Sequence, residues 1–418
     1  MRIVRLGKGA DARAVRSLTP EPRDVEDEVR SILEQVRTGG DSAVLRLTAR
    51  FDQAEVAPDE LEVPPRELEA SVASLEGPVL AGLRTAIANV RGVARTQLRE
   101  PEVVELPEGQ RVELIESPVR RVGLYVPGGR AAYPSTVVMC AVTARAAGVD
   151  EITVCAPPGP DGRAQPVILA ACVLCEVSEV YRMGGAQAIA ALAYGTESVR
   201  PVDVIAGPGN RYVQEAKRQV AGNVGIDGVA GPSELAVVAT AGADPELVAL
   251  DLLAQAEHGD DSLLAAISPD TGLLGAVADA LERLAPERPS VSDAPIALVP
   301  AADVHGAVRL ANQLAPEHLQ LVGEDAEALA DRVRSAGCVF IGSGAGTAFG
   351  DYVAGSNHVL PTGGAARFQS ALSVATFRRR MSRVSLPDDA PRRLAGRGAA
   401  LARAEGFPVH AESMERRA

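Results

Sequence analysis

Four of the five histidines lie in polar, acid-rich surroundings: His258 in QAEHGDDS, His318 in APEHLQ, His358 in GDYVAGSNHVLPTGG and His410 in EGFPVHAES. Imidazole titrates near neutrality and is the commonest metal ligand. Histidines set beside carboxylates and amides, away from apolar faces, point to one assembled site with a metal centre and an acid/base pair. The fifth, His305 in ADVHGAVRLANQ, reads as a helix-start residue and is given no role.

Glu317 and His318 follow Pro316. An adjacent acid and imidazole can serve as proton acceptor and water activator if both project into a cleft. Neighbours on a regular helix face apart, so the two-role reading needs a turn, which Pro316 can supply. The plain alternative is a helix N-terminus with Glu in its first turn. Gln255 and His258 are three apart near the end of the helical segment DPELVALDLLAQAEHG, which puts them on one face. A Gln carbonyl oxygen and an imidazole nitrogen both bind zinc, although Gln is an uncommon ligand. Alone, the segment reads as a helix end stopped by Gly259, where His258 offsets the dipole. Asp351 alone reads as a turn or cap residue, and His410, in the tail beside Glu405, as a solvated histidine. Taken together, Gln255, His258, Asp351 and His410 form an N/O donor set suited to Zn²⁺ or Mn²⁺. H-E-x-x-H is absent, which weighs against the commonest zinc hydrolases.

These residues need a scaffold. Short apolar runs at Val122–Val126, Glu151–Cys155, Glu179–Met183, Val202–Ile205, Leu235–Ala239, Leu263–Ile267, Ile296–Val299 and Val339–Ile341 read as strands. Helical segments separate most of them, the signature of α/β architecture with parallel sheets covered on both faces. Residues 23–50 and 66–99 read as helices, the first broken at Gly39-Gly40 with Asp41 as N-cap. Three Gly-rich turns follow strands, at 125–135, 205–213 and 340–352. None is a true G-x-G-x-x-G, but together they predict a ligand cleft at the carboxyl edge of a sheet. From about Leu372 the chain turns basic and Ala-rich. FRRRMSRV and APRRLAGRGAALARAEG read as helices too poor in large apolar residues for their own core, so they must dock on another domain or subunit.

Composition narrows the partners. The chain has 418 residues, 46% hydrophobic and 23% charged, enough for two or three cored domains. A net charge of -13 argues against nucleic acid and anionic membrane. No run of 18 apolar residues marks a span. Five cysteines at no disulfide-like spacing fit a reducing, cytoplasmic setting. Cys172 and Cys175 form C-x-x-C inside an apolar helical run and read as core residues rather than a zinc or redox pair.

In order along nearly the whole chain, the segments VRSILEQVRTGGDSAVLRLTARFD, GLYVPGGRAAYPSTVVM, GGAQAIAALAYGT, AGPGNRYVQEAKRQV, GPSEL, LLAQAEHG, APEHL, GDYVAGSNHVLPTGGAAR and AEGFPVH resemble histidinol dehydrogenases. The resemblance implies a zinc-dependent enzyme that oxidises L-histidinol to L-histidine through a bound aldehyde with two NAD⁺, ending histidine biosynthesis. It implies zinc on Gln255, His258, Asp351 and His410, and catalysis by Glu317 and His318. Substrate contacts fall on Ser233, His358 and Glu405 besides the zinc ligands and His318. NAD⁺ contacts fall on Tyr125, Gln187 and Asn210.

The implied fold is two incomplete Rossmann-like domains, with a helical N-terminal arm and a helical C-terminal tail exchanged in a homodimer that shares its active sites. The expected division is an arm at 1–21, a first domain at 22–125 and 234–372 carrying the zinc and acid/base residues, a second at 126–233 on the NAD side, and a tail at 373–418. The closing motif has Pro408 inside Glu405–His410, which fixes φ and removes a donor. The alternative on this scaffold is a dehydrogenase of another small polar alcohol, such as a sulfonated diol. A zinc hydrolase could use the same ligands with a metal-bound water and would need no nicotinamide, and a non-catalytic metal-binding module would leave Glu317-His318 and the Gly-rich turns without a purpose.

Overall fold

The computed structural model describes residues 1–20, 23–128, 131–387 and 389–418. Gly129 and Arg130 of the first Gly-rich turn lie outside the described residues. The strands, in chain order, are β1 (Arg2–Arg5), β2 (Glu102–Glu105), β3 (Arg111–Pro118), β4 (Arg121–Tyr125), β5 (Glu151–Ala156), β6 (Glu179–Arg182) and β7 (Val204–Ala206). They continue with β8 (Gly225–Ile226), β9 (Glu234–Ala239), β10 (Leu263–Ser268), β11 (Pro295–Pro300), β12 (His318–Val322), β13 (Cys338–Ile341) and β14 (Arg378–Ser385).

Two sheets are parallel throughout. One runs β6-β5-β4-β7-β8 and the other β1-β11-β10-β9-β12-β13. Each begins at a central strand (β4 or β9), adds two strands on one side, and returns to add two on the other. The central strands bury every residue or nearly so, as sheets covered on both faces require. Alternation along β4 sends Val122 and Leu124 to one core and Tyr125 to the other. In the same way Leu235 and Val237 face one core while Ala236 and Val238 face another. The N-terminal segment adds β1 to the edge of the second sheet, and its helix Ala12–Arg16 buries Val15 in the core there.

All eight expected strands are present to within about two residues at their ends, the usual uncertainty of such boundaries. The division of the chain differs from the expected one. Residues 22–125 are expected beside 234–372, yet Arg121–Tyr125 is the central strand of the other sheet. The helix Glu26–Phe51 packs Val29, Leu33, Val36 and Leu47 onto that sheet, as the helix Gly77–Arg95 does with Leu83, Ile87 and Val90. An apolar stripe shows that a helix packs, but not on which sheet. The expected break at Gly39-Gly40 is present: Gly40, at φ 53° and ψ -142°, separates two helices across a kink within Glu26–Phe51. A Cβ there would lie 2.1 Å from Glu197 Oε2. Asp41, expected as N-cap, instead accepts from Ser198 Oγ at 2.5 Å.

FRRRMSRV is a strand, not a helix. β14 pairs antiparallel with β3 along its full length and sets Arg380 and Arg383 opposite Glu116 and Glu113. Those cross-strand charge pairs favour the strand over the local helical tendency. β2 completes this three-stranded sheet. The helix Ala390–Ala404 follows as expected, and Pro408 takes the first turn of the helix Pro408–Glu415, where its missing N–H costs nothing.

Candidate active site

A cleft of about 1200 Å³ separates the two parallel sheets. The sheets meet it with opposite edges. From the five-stranded sheet come the carboxyl ends: Pro127 and Gly128 after β4, and Gly207 to Asn210 after β7. From the six-stranded sheet come the amino ends: Ser233 before β9, and Glu317 with His318 at the start of β12.

Glu317-His318 therefore begins a strand, and is neither a turn that splays two neighbours nor a helix N-terminus. The preceding helix Val304–Leu314 is stopped by Ala315 in the left-handed region, at φ 45°. Pro316 then bars its continuation and delivers the dipeptide to the sheet. Glu317 Oε2 accepts from Ser233 Oγ at 2.6 Å and from the Glu234 backbone N–H at 2.8 Å. His318 Nδ1 lies 3.1 Å from the Glu234 carbonyl oxygen and 3.5 Å from Glu317 Oε2. A carbonyl only accepts, so Nδ1 carries the proton and Nε2 is the atom turned to the cleft chemistry. Nε2 stands 3.5 Å from Asp351 Oδ1. Both residues are nearly inaccessible, at 8% for Glu317 and 3% for His318.

Burial opposes the charge on Glu317, but His318 and the hydrogen bonds from Ser233 and Glu234 outweigh it and hold the carboxyl below its ordinary range. Burial likewise opposes charge on His318, yet Glu317 and Asp351 outweigh it and raise the imidazole well above its ordinary value. For Asp351, burial is again overcome, by the hydrogen bond and charge of His318 and by the charges of His358 and His258. Asp351 lies in the short helix Thr347–Tyr352. Its carbonyl accepts from His358 Nδ1 at 2.9 Å, and His358 Nε2 lies 3.4 Å from Thr136 Oγ1. Burial lowers the His358 pKa from its ordinary value.

Gln255 ends the helix Pro245–Ala256 and is 2% exposed. Its amide nitrogen donates to Ser233 Oγ, which leaves the amide oxygen as the atom able to meet a cation. The helix stops two residues before His258, which lies in the following turn and lines the cleft with Asp351. Among the described residues no three His, Cys, Asp or Glu side chains gather as a ready metal group. Of the expected donors, His258 and Asp351 line the cleft, while Gln255 is buried beside Ser233 and is not itself in the lining. Glu405 and His410 are exposed on the tail and do not line the cleft. His410 packs instead near the Phe407 ring, at 5.3 Å between centroids.

The other wall carries a helix N-terminus and the turn after β7. The ten-residue helix Arg211–Val220 points its N-terminus at the cleft, capped by Asn210 Oδ1, which accepts from Tyr212 N at 3.0 Å and Val213 N at 3.2 Å. Such an end attracts phosphate. At Gly207 a Cβ would lie 2.1 Å from the Tyr125 carbonyl oxygen, so only glycine lets the turn after β7 lie against β4. Tyr125 Oη accepts from Gly185 N at 3.1 Å. Gln187 is 1% exposed; its amide nitrogen donates to Asp52 Oδ2 at 3.3 Å while its amide oxygen is buried without a partner. Tyr125 and Gln187 are both buried and do not themselves line the cleft.

The third Gly-rich turn does not join this wall. It follows β13 at the far, carboxyl edge of the six-stranded sheet, and only Asp351 and Tyr352 from its following helix reach the cleft. Sequence reasoning also missed Glu234, Thr136 and Asp52. The one available signal was a glutamate opening the otherwise apolar run ELAVVA.

Residues 16–418 match the family model described as histidinol dehydrogenase. The histidinol dehydrogenase of Gluconobacter oxydans is 42% identical over 400 residues, which cover 94% of this chain and 93% of that one. That of a Synechococcus strain is 44% identical over 398 residues, covering 94% and 92%. The crystal structure of histidinol dehydrogenase from Elizabethkingia anophelis aligns with a TM-score of 0.93 at 31% identity, over 100% of this chain and 98% of that one. An acetylating aldehyde dehydrogenase from Geobacillus thermoglucosidasius, 14% identical at a TM-score of 0.50, shares the fold alone. The chain is thus an enzyme of an oxidoreductase class, and it belongs to the histidinol dehydrogenase family.

Proposed function

We propose that this chain is a zinc-dependent, NAD⁺-dependent histidinol dehydrogenase, oxidising L-histidinol to L-histidine through bound L-histidinal at the end of histidine biosynthesis. The observation that carries the reading is the buried Glu317-His318 pair, held at the mouth of β9 and β12 across the cleft from the glycine-rich turn after β7 and the helix N-terminus at Asn210.

Gln255, His258 and Asp351, with His410 supplied by a second copy of the chain, would hold Zn²⁺. Such a metal would supply an anchor for the imidazole and amine of the substrate, and NAD⁺, held at Tyr125, Gln187 and Asn210, would supply the hydride acceptor in each of the two oxidations. The chain's own groups do the rest. His318 Nε2 takes the hydroxyl proton, its tautomer fixed by Nδ1–H on the Glu234 carbonyl. Glu317 and His318 then orient water onto the aldehyde, and Ser233, His358 and Glu405 position the substrate. Retention of the aldehyde between the walls protects a reactive intermediate. The enzyme would act as a cytoplasmic homodimer. Among the described residues no helix is long and apolar enough to cross a membrane.

The test is a zinc-replete assay that counts NADH formed per L-histidinol consumed, run beside other small diols. Two NADH per histidinol, with weak turnover of the diols, is the expected result. One NADH, or turnover led by another diol, would overturn it.

A further inference from the structure

We propose that Arg16 and Glu234, which touch no substrate, are positioning residues that hold Glu317 and His318 in register for proton transfer. The inference rests on the functional reading above. Glu234 opens β9, and Glu317 stands immediately before the neighbouring strand β12. The two glutamates clasp each other. The Glu234 N–H donates to Glu317 Oε2 at 2.8 Å, and the Glu317 N–H donates to Glu234 Oε2 at 3.2 Å. The Glu234 carbonyl holds His318 Nδ1 at 3.1 Å. One residue thus fixes both members of the pair, through its own backbone.

Two buried carboxylates this close repel, and the clasp needs a cation. Arg16 supplies it from the N-terminal segment, 218 positions away. Its Nη1 lies 2.8 Å from Glu234 Oε1 and its Nη2 3.4 Å from Glu234 Oε2. Nη2 also donates to the Leu314 carbonyl, at the helix end that leads into Pro316 and Glu317. The Gly363 N–H adds a further bond to Glu234 Oε1 at 3.0 Å. The guanidinium fork therefore ties together the start of β9 and the chain entering β12. The Glu234 side chain is 4% exposed and cannot turn to water for compensation. Even with Arg16 beside it, burial and the Glu317 charge leave its carboxyl above its ordinary value. A buried charge stripped of its partner forces rearrangement, and a small misplacement of reacting groups can cost on the order of a hundredfold in rate.

The experiment measures kcat and both KM values for Arg16→Ala, Arg16→Gln and Arg16→Lys in the zinc-loaded enzyme, normalised to folded protein. For Arg16→Ala the expected result is a kcat lower by about 10- to 100-fold, with the KM for NAD⁺ within twofold of wild type. Arg16→Lys keeps the charge but not the fork, and recovers part of the loss. Millimolar guanidinium chloride raises the kcat of Arg16→Ala while equimolar urea does not. If Arg16→Ala fails to fold, Arg16→Lys decides the matter. The inference fails if kcat per folded molecule is unchanged in the folded variants, or if the deficit lies in the KM for NAD⁺. A wild-type enzyme that makes no NADH from histidinol overturns the functional reading and this inference together. A wild type that makes two, beside an Arg16 variant of equal kcat, overturns the inference alone.

Discussion

The two parallel sheets repeat one strand order, yet they meet the cleft with opposite edges. The five-stranded sheet offers its carboxyl ends, where strands turn into helices and helix N-termini face the cleft. The six-stranded sheet offers its amino ends, where helices return and C-termini face it, as Gln255 near the end of Pro245–Ala256 and Asp351 near the end of Thr347–Tyr352 show. A helix N-terminus carries partial positive charge and a C-terminus partial negative charge. One wall is therefore disposed to a pyrophosphate, and the other to a divalent cation and a protonated amine. On the proposed function, the same topology, turned around, yields a cofactor side and a chemistry side. The usual rule for doubly wound sheets places ligands at the carboxyl edge, and the first sheet alone follows it.

The largest break in this comparison should come from the chemistry wall. Glu317→Gln is expected to slow histidinal oxidation by about 10²- to 10⁴-fold, and histidinol oxidation less, with NAD⁺ affinity unchanged. Rates measured separately with each substrate check the split, and equal losses would refute the assigned roles. Next, the tail should complete that wall in trans. His410→Asn and Glu317→Gln homodimers, each nearly inactive, should recover about a quarter of wild-type activity after co-refolding, because half the dimers are mixed and each carries one intact site. No recovery would mean that His410 serves its own chain or no site at all.

The cofactor wall should give a smaller and different response. Gln187→Ala should raise the KM for NAD⁺ by about tenfold, the worth of one buried hydrogen bond, and leave kcat near wild type. Steady-state kinetics with each substrate varied will show it; a fall in kcat alone would contradict the separation of walls. The smallest effect concerns Asp52, whose carboxyl burial pushes from 3.8 up to about 6. An acid with a raised folded pKa binds its proton more tightly when folded, so its contribution to stability falls as pH rises from about 4 to 6, and its penalty persists above that. Asp52→Asn should remove this sag, so that urea midpoints of variant and wild type diverge above pH 6 and converge near pH 4. Parallel curves would refute the assignment.

The eight strands visible in the sequence are short segments rich in Val, Ile, Leu and Ala. β12 escaped because HLQLV opens on a histidine and holds Gln320, which is buried and pairs with Asp251 at 2.8 Å. β14 escaped because an arginine run becomes a strand only beside the acidic β3, more than 260 positions earlier. Within the site, Glu317-His318 was legible as a chemical pair, and its placement was not: the start of a strand lets both side chains share one carbonyl and one amide of Glu234. Glu405 and His410 fell within the family pattern, but a single chain leaves them on an exposed tail. Arg16 carried no local signal at all, since its meaning lies in a carboxylate at the far end of a strand-to-strand contact.

The direct measurement is a crystal structure of the enzyme with zinc, L-histidinol and NAD⁺ bound. The expected density places histidinol against Ser233, Glu317 and His318 at the amino ends of β9 and β12, and the pyrophosphate at Asn210 on the carboxyl ends of β4 and β7. A dinucleotide seated instead on the glycine-rich turn after β13, at the carboxyl edge of the six-stranded sheet, would contradict the account.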